Sequence, residues 1–346
     1  MALDFDRQTL TELYDLAPNP ALAAGMEAEY EKMSRVVTPA DWAIHAPYVA
    51  AINKLKAERN AVVLAHNYMT PEIYHGISDC VGDSLQLAIK ATEVEADVIV
   101  QCGVHFMAET SKILNPAKTV LMPDMEAGCS LAESITADGI AQMRAQYPGA
   151  PVVTYVNTTA EVKAASEICC TSSNAAQIVA GLDAETVIMA PDQYLAQNVA
   201  KEVPQKRIVW WEGSCMVHEQ FSAREVEEFR DWNPGTTVVV HPECPPEVVE
   251  VSDFSGSTKG IIDFLSDERP EKVMLLTECS MASNISDALP GVDFLGPCNM
   301  CPHMKKITLE KVLWSLHSMT TPVEVDEAVA AKARVAVQRM IDMSAK

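Results

Sequence analysis

The chain has 346 residues, of which 48% are hydrophobic and 21% charged, and its formal net charge is −22. This composition is typical of a globular protein with a sizeable core and excludes intrinsic disorder. Acidic residues outnumber basic ones by 48 to 26, and no cluster of Lys and Arg is present, which argues against a nucleic-acid partner.

The sequence also bears on location. No apolar stretch approaches the roughly 20 residues that a membrane helix needs. The N-terminus, MALDFDRQTLTELYDLA, lacks the basic and apolar regions of a secretory signal, so we expect a cytoplasmic protein without a membrane partner. Ten Cys in a reducing compartment favour metal or cluster ligation over disulfides. Core packing as free thiols is the expectation for four of them: Cys80, Cys102, Cys169 and Cys279.

The predicted elements divide the chain into five parts. A helical N-terminal segment is followed by a pattern that occurs three times, and two C-terminal helices complete the chain. The predicted boundaries are 1–60 for the N-terminal segment, 61–149, 150–235 and 236–304 for the repeats, and 305–346 for the C-terminal helices.

Each repeat begins with a β-branched run, AVVLAHNY, PVVTYVNT or TVVVHPEC, that predicts a buried strand. Helix, strand, helix and strand then follow, and each repeat reaches a cysteine near its end. This order predicts an α/β fold of three pseudo-equivalent αβα layered domains, with largely parallel sheets arranged around a central cleft on a pseudo-threefold axis.

Polar side chains follow the first strand of every repeat. Ligands of parallel α/β sheets lie beyond the carboxyl ends of strands, so we expect these side chains to face the cleft. They are His66, Asn67 and Tyr68, Tyr155 and Asn157, and His241 and Glu243. The i, i+2 spacing of His241 and Glu243 predicts an acid/base pair, with a surface ion pair as the alternative. His66 with Tyr68 and Tyr155 with Asn157 have the same spacing.

Small hydroxyl residues precede an amphipathic helix in each repeat, at GDSLQLAIKA, TSSNAAQIVAG and SGSTKGIIDFL. Ser84, Ser172 and Thr258 therefore lie at predicted helix starts. Simple N-capping explains any one of them, and anion binding by helix N–H groups is the functional alternative. Neither a phosphate-loop nor a dinucleotide-binding signature is present.

Three cysteines, Cys129, Cys215 and Cys301, lie at the same place in the three repeats and are separated by 86 residues in both intervals. Single thiols from three repeats are unlike the paired ligands of zinc ribbons or the ferredoxin run. They favour an iron–sulfur cluster that keeps one corner free for substrate, with buried structural thiols as the alternative.

Two other cysteines compete for such a role. Cys298 and Cys301 form a CxxC that is also compatible with a thiol–disulfide switch or a zinc site. The equal spacing favours Cys301 over Cys298, and Cys244 in HPEC is a weaker substitute.

With these residues assembled, the chain resembles the quinolinate synthase family, often called NadA. The resemblance runs from about AVVLAHNY to CPHMKKITL and depends on a series of motifs in order. These are AHNY, GDS, FMAET, AGCSLAE, YVNTTAEVKA, CTSSNA, GSCMVHE, HPEC, SGSTKG and CxxCPHMKKITL. The combination is specific, although each motif alone is weak.

The resemblance implies an enzyme of NAD biosynthesis. It would condense iminoaspartate with dihydroxyacetone phosphate into quinolinate, with loss of phosphate and water, around a central [4Fe–4S] cluster. The implied cluster ligands are Cys129, Cys215 and Cys301. The implied substrate contacts are His66, Ser84, Tyr155, Asn157, Ser172, His241, Glu243 and Thr258. The acid/base candidates are His66, Tyr68, Tyr155, His241 and Glu243. A transient L-aspartate oxidase that supplies the imine is implied as a partner.

Three other functions remain open at this point. A different cluster-dependent hydro-lyase would keep the same three thiolates but act on another hydroxy acid. A redox or iron sensor would use the cluster or the CxxC as a switch. A zinc-stabilised structural protein would bind metal without sulfide.

Overall fold

A computed structural model describes residues 7–344 of the chain. Its N-terminal segment is helical, as predicted, although the first six residues of the predicted 1–60 segment lie outside the described part. The helices are α1 (Arg7–Leu13), α2 (Pro20–Ala24), α3 (Glu27–Glu31) and α4 (Pro39–Arg59). The side chain of Thr38 accepts a hydrogen bond from the Asp41 N–H, and Pro39 occupies the first turn, so a capping residue and a proline fix the start of α4.

The first repeat contains four strands with helices between them. In chain order it comprises β1 (Ala61–His66), α5 (Pro71–Tyr74), β2 (Cys80–Gly82), α6 (Ser84–Glu93), β3 (Val98–Cys102), α7 (His105–Leu114), β4 (Thr119–Leu121), α8 (Ser130–Ser134) and α9 (Ala137–Gln146). The strands form one parallel sheet in the order β2-β1-β3-β4. Helices connect successive strands because parallel strands need a crossover.

The second repeat has the same order of elements. It comprises β5 (Val152–Tyr155), α10 (Ala160–Ala164), β6 (Ile168–Cys170), α11 (Ala175–Gly181), β7 (Thr186–Ala190), α12 (Gln193–Glu202), β8 (Arg207–Trp210), a 3-10 turn (His218–Gln220) and α13 (Ala223–Trp232). Its parallel sheet has the order β6-β5-β7-β8, which is the order of the first sheet.

The third repeat gives a third parallel sheet, in the order β10-β9-β11-β12. Its elements are β9 (Thr237–Val240), α14 (Pro246–Glu250), β10 (Phe254–Ser255), α15 (Thr258–Glu268), β11 (Lys272–Leu276), α16 (Ser280–Ile285), β12 (Asp293–Leu295) and a 3-10 turn (Met304–Lys306). The prediction of an α/β fold with three equivalent parallel sheets, each flanked by helices, is confirmed. Each sheet has one strand more than predicted: β2, β6 and β10 have only two or three residues, too few to show a period in sequence.

Two helices end the described chain, α17 (Leu309–Ser318) and α18 (Glu327–Ser344). α17 follows Cys301 as α9 follows Cys129 and α13 follows Cys215. Each of these three helices is capped by a hydroxyl residue seven positions after the cysteine. These caps are Thr136, Ser222 and Thr308. α18 packs Ala330 and Ala333 against Ile113 and Ala160, and so covers the junction of the first two repeats. The domain boundaries given above stay a prediction.

The first and third strands of each repeat are largely buried on both faces and read as mostly apolar runs. The largest apolar cluster includes residues from all three repeats and both terminal segments. The repeats therefore share one core, and their carboxyl strand ends are held close together.

Candidate active site

The polar residues at the strand ends line one cavity between the three repeats, except Asn67. The Asn67 amide was expected to face the cleft, but it lies outside the lining and donates to the Thr258 hydroxyl at 2.7 Å. His66 ends β1, Tyr155 ends β5 and His241 follows β9. All the residues assigned to the site from sequence line this cavity: His66, Tyr68, Ser84, Cys129, Tyr155, Asn157, Ser172, Cys215, His241, Glu243, Thr258 and Cys301. Phe106 and Met107, two apolar residues of α7, line it as well.

The three equally spaced cysteines occupy equivalent turns after the last strand of each sheet. In each turn the carbonyl of the cysteine accepts a hydrogen bond from the N–H four residues later, at 3.0–3.2 Å, in the helical or 3-10 turn that follows. The donors are Glu133 for Cys129 at 3.0 Å, Glu219 for Cys215 at 3.0 Å and Lys305 for Cys301 at 3.2 Å. All three thiols are free and partly buried. The structure thus brings one thiol from each repeat to the same cavity.

Hydrogen bonds also tie these turns to one another. Ser130 donates to the Ser214 carbonyl at 3.2 Å and accepts from the Met216 N–H at 3.1 Å, which joins the first turn to the second. The amide of Asn299 donates to the Val217 carbonyl at 3.4 Å and joins the third turn to the second. The thiol-bearing turns are therefore fixed by their neighbours as well as by their own repeats.

The environment of the thiols favours the neutral form. Burial raises the pKa of Cys129 to about 12, and burial followed by the charge of Glu243 raises the pKa of Cys215 well above its usual value. Burial also raises the pKa of Cys301. A metal that binds here has to displace the thiol protons, so its affinity is expected to rise with pH.

The remaining cysteines near the third turn do not join this set. Cys298 forms a disulfide with Cys279, not with Cys301. The expectation that Cys279 is a free core thiol was therefore wrong. Cys279 and Cys298 lie side by side because the bridge between Glu278 and Asn299 continues the pairing of β11 with β12. Cys244 is buried, and its thiol lies 3.7 Å from the Leu276 carbonyl.

A chain of hydrogen bonds connects a buried carboxylate to a tyrosine. Glu243 Oε2 lies 2.8 Å from His218 Nδ1, His218 Nε2 lies 2.9 Å from Thr277 Oγ1, and that hydroxyl lies 2.5 Å from the Tyr68 hydroxyl. The carboxylate orients the imidazole with its proton on Nδ1, so that Nε2 accepts from Thr277, and Thr277 accepts from Tyr68. This arrangement can remove a proton from Tyr68 and store it on His218.

Burial and charge set the resting protonation states of these groups. Burial and the nearby Glu243 raise the pKa of Tyr68 well above 10, so Tyr68 rests as the neutral phenol. Burial opposes ionisation of Glu243, but the imidazoles of His218 and His241 hold its pKa below the usual range. Glu243 is therefore an ionised carboxylate at 3% exposure, and it stabilises positive charge on His218.

The pairing of Glu243 differs from the sequence prediction. We expected an acid/base pair with His241, but the carboxylate contacts His218 and accepts from the Tyr155 hydroxyl at 2.5 Å, with the Asn157 amide at 3.5 Å. His241 stacks on His218 at 4.6 Å between ring centroids and directs Nε2 to Ser172 at 3.2 Å. Spacing along the strand placed both groups correctly in the cavity, but the neighbouring repeat determines their partners.

The two strand-end histidines are neutral hydrogen-bond donors. Nδ1 of His66 accepts from the Tyr68 N–H at 3.2 Å, and Nδ1 of His241 accepts from the Glu243 N–H at 3.3 Å. In both rings the proton is therefore assigned to Nε2. Burial lowers the pKa of His66 to about 4 and that of His241 to about 3. Both can polarise an oxygen atom of a ligand without carrying charge.

Helix N-termini supply the remaining donors. Ser84 and Thr258 are the first residues of α6 and α15, which are capped by Asp83 and Ser257. Ser172 lies three residues before α11 rather than at its start, because α11 begins at Ala175. The lining contains neither Lys nor Arg among the described residues, so an anion bound here relies on helix dipoles, hydroxyls and neutral imidazoles.

Sequence reasoning missed several polar residues of the cavity lining, and also Thr277 in the hydrogen-bonded chain from Glu243 to Tyr68, which we call the relay. His218 lies three positions after Cys215, where the other repeats have Ala132 and Met304, so a comparison of the repeats could not find it. Thr277 follows β11, the third strand of its repeat. The prediction that polar residues at strand ends face the cleft considered only the first strand of each repeat, and it therefore did not include Thr277. His303 lines the cavity with Nδ1 buried and without a hydrogen-bond partner within residues 7–344.

Metal-binding capacity is visible in the described part of the chain. Cys215, His218 and Glu243 each place one ligand atom within 4.8 Å of the other two. Cys129, Cys301 and His303, whose Nδ1 has no partner within residues 7–344, line the same cavity. Thiolates are the ligands that soft metal centres and iron–sulfur clusters prefer, so the donor set fits such a group.

Comparisons with known proteins agree over nearly the whole chain. The family model described as quinolinate synthetase A protein (NadA) matches residues 50–342. A quinolinate synthase of Sinorhizobium fredii is 57% identical over 337 residues, which cover 97% of this chain and 94% of the relative. A quinolinate synthase of Agrobacterium fabrum is 58% identical over 314 residues, or 91% of each chain. Within residues 7–344, no helix has the length and apolar character needed to span a membrane.

Proposed function

The chain belongs to the quinolinate synthetase A (NadA) family, and from this premise we propose that it condenses iminoaspartate with dihydroxyacetone phosphate into quinolinate, with loss of phosphate and water, in de novo NAD biosynthesis. One observation carries the proposal. A single cavity contains a free thiol from each of three repeats and a proton relay that ends on a buried tyrosine.

We propose that Cys129, Cys215 and Cys301 hold a [4Fe–4S] cluster. Their equivalent turns, the hydrogen bonds between those turns and the soft donor set support this assignment. When bound, such a cluster supplies a Lewis acid at the iron that has no protein ligand. Displacement of the thiol protons accompanies binding, because all three thiols have raised pKa values.

The anionic substrates are proposed to bind through neutral donors. Ser84, Ser172 and Thr258 present hydroxyls near helix N-termini, and Nε2 of His66 and His241 adds two N–H donors. These groups bind carboxylate and phosphate oxygens without a lysine or arginine. Tyr155 and Asn157 contact Glu243 and border the same space, which limits the orientation that a ligand can take.

The relay is proposed to move the protons of the condensation and dehydration steps. Tyr68 passes its phenolic proton to Thr277, whose own proton goes to Nε2 of His218, and Glu243 stabilises the resulting imidazolium. The phenoxide then accepts a proton from the bound intermediate, and the reverse transfer returns a proton to a departing hydroxyl. Tyr68 thus acts as both base and acid.

The physiological setting is part of the proposal. We place the enzyme in the cytoplasm, with an L-aspartate oxidase as the transient source of the imine. The net charge of −22 and the lack of basic clusters support small-molecule substrates rather than nucleic acid.

The test is an iron and acid-labile sulfide determination on anaerobically purified protein, followed by an assay for quinolinate. Wild type should contain about four irons and four sulfides, and Cys129→Ala, Cys215→Ala and Cys301→Ala should each lose them. Cys244→Ala is the matched control, because this thiol is buried near the site but lies outside the cavity lining.

Three results would count against the proposal. Zinc without sulfide, or iron that all three variants retain, would remove the proposed cofactor. A cluster without quinolinate formation would point to another hydro-lyase, which a screen of hydroxy acids would identify.

A further inference from the structure

The residues four positions after the three cysteines are structurally equivalent, but they differ in charge. Each donates its N–H to the carbonyl of its cysteine. Two of them, Glu133 and Glu219, are acids, whereas the third is Lys305. Lys305 is thus the only cation among these equivalent positions. The third turn differs in charge from the other two.

A second set of equivalent positions, Val104, Asp192 and Glu278, follows the third strand of each sheet. In each repeat the next residue donates its N–H to the carbonyl two positions before the cysteine. These bonds run from His105 to Ala127, from Gln193 to Gly213 and from Cys279 to Asn299. Only the third repeat therefore combines a carboxylate at one position with a cation at the other.

Glu278 and Lys305 form an ion pair at the wall of the cavity. Lys305 Nζ lies 2.7 Å from Glu278 Oε1, and the Glu278 side chain has no exposed surface. The same oxygen of Glu278 accepts from the Cys301 N–H at 3.2 Å, and Oε2 accepts from the Ser280 N–H at 2.9 Å. Glu278 thus binds the backbone of a proposed cluster ligand and the first turn of α16.

Lys305 extends these contacts to the relay. Its Nζ donates to the Tyr68 carbonyl at 2.8 Å and to the Ser280 hydroxyl at 2.6 Å. Tyr68 is the residue at which the relay ends, and Thr277, its partner, is the neighbour of Glu278 in the chain. One ion pair consequently contacts the backbone at both the tyrosine and the thiol.

We propose that Glu278 and Lys305 are positioning residues that hold the Cys301 turn and the Tyr68 relay in one geometry. The predicted effect on turnover rests on the proposed function, whereas the predicted effect on metal binding by the three thiols does not. A carboxylate without exposed surface has to be paired, and the pairing cation comes from the same turn as Cys301. Movement of either turn would break the contacts of both.

The decisive variant is Lys305→Met, compared with Lys56→Met. Lys56 is a matched control, because its Nζ also binds a carboxylate, Asp79 at 2.8 Å, and a backbone carbonyl, Ile77 at 2.6 Å, but Asp79, unlike Glu278, lies outside the cavity lining. Anaerobic full-length protein without its cluster is titrated with Co²⁺, and the sulfur-to-cobalt charge-transfer band reports binding by the thiolates. We expect Lys305→Met to bind Co²⁺ about tenfold more weakly than wild type, and Lys56→Met to equal wild type.

Turnover of the cluster-loaded enzyme is the second readout. At equal iron content, Lys305→Met should lower kcat at least about tenfold with KM within about twofold, because the relay and not the substrate donors is displaced. Lys305→Arg, which keeps a cation with several donors, should recover most of this loss. A change in KM alone would contradict a role through Tyr68.

The double variant Glu278→Gln with Lys305→Met separates positioning from charge balance. It leaves no unpaired buried charge, so its midpoint of urea unfolding should return towards that of wild type, whereas kcat should stay low because the Tyr68 carbonyl still lacks its donor. Full recovery of kcat would overturn the proposal, and so would Co²⁺ binding by Lys305→Met equal to that of Lys56→Met. If wild type forms no quinolinate, the proposed function fails, and the Co²⁺ titration still decides the thiol half of this inference.

Discussion

Glu243 is the residue on which the polar contacts of the cavity converge. Its two oxygens contact His218 and Tyr155, residues of the second repeat, although Glu243 itself follows a strand of the third. The carboxylate stays ionised in a nearly closed environment because two imidazoles face it. Its proposed role is electrostatic, since it stabilises a proton on His218 and does not carry one itself.

Substitution of Glu243 by Gln tests this role. The amide keeps the size of the side chain and an acceptor for Tyr155, but it cannot stabilise the imidazolium of His218. We expect kcat to fall about 10²–10⁴-fold while iron and sulfide contents stay at the wild-type level. The measurement is quinolinate formation at equal iron content, and normal turnover would disprove the role.

His66 makes the stability of the fold depend on pH. The unfolded histidine takes up its proton near pH 6.5 and the folded one only near pH 4, so the unfolded state binds more protons between these values. Stability should therefore fall as the pH is lowered from 6.5 towards 4, by about 3 kcal/mol for His66 alone.

Urea unfolding of wild type and His66→Gln at pH 7.5 and pH 5 measures this effect. The variant should show a smaller loss of unfolding free energy between the two values. Equal losses in both proteins would show that His66 is not held neutral by burial.

Sequence predicted the members of the site better than their partners. The cysteines are found by comparing the repeats, and the strand-end positions of His66, Tyr155 and His241 are found from the apolar run within each repeat. The contact of Glu243 with His218 joins two repeats, and no local pattern encodes it. The bond between Cys279 and Cys298 lies within the third repeat and was missed for another reason, since it depends on how β12 lies beside β11.

At the scale of elements, the turns that bear the thiols are short and depend on one another. The helical segment after Cys129 has five residues, and those after Cys215 and Cys301 are single 3-10 turns. Elements of this length are not stable alone, so contacts between the turns have to keep the thiols in place. Ser130 provides two of these contacts.

Replacement of Ser130 by Ala should loosen the first two turns. Loss of the hydroxyl leaves the Met216 N–H and the Ser214 carbonyl without this partner, which costs about 1 kcal/mol and corresponds to about a fivefold faster loss of iron. The measurement is the rate at which a coloured chelator extracts iron from anaerobic protein.

Ser134→Ala is the control for this prediction. Its hydroxyl lies in the same helix, α8, and donates only to the Leu131 carbonyl within that helix. Equal extraction rates for wild type, Ser130→Ala and Ser134→Ala would contradict the role of Ser130.

The fold was predictable where elements are long enough to show a period. The first and third strands of each repeat and helix α4 appear in the sequence as apolar runs and capping residues. The strands β2, β6 and β10 do not, because two or three residues acquire strand geometry only by pairing with β1, β5 and β9. The start of α11 was placed too early because Thr171 and Asn174 form a hydrogen-bonded turn ahead of it.

At the scale of the whole molecule, a net charge of −22 surrounds a cavity that is proposed to bind anions. Long-range repulsion should slow the approach of the substrates, and salt screens it with a Debye length of about 10 Å at 0.1 M. We therefore expect kcat/KM to rise on the order of twofold between very low salt and about 0.15 M, at constant iron content. A steady fall in kcat/KM with salt would instead indicate a positive potential at the mouth of the cavity.

The distribution of the three thiols over three repeats has a consequence for biosynthesis. A growing chain exposes Cys129 and Cys215 long before Cys301, and the three meet only when the third sheet has formed against the other two. A partial chain, or one cut between repeats, cannot complete the set. Maturation of the proposed centre would therefore have to wait until translation has passed residue 301, and a complete centre would require that all three repeats have folded.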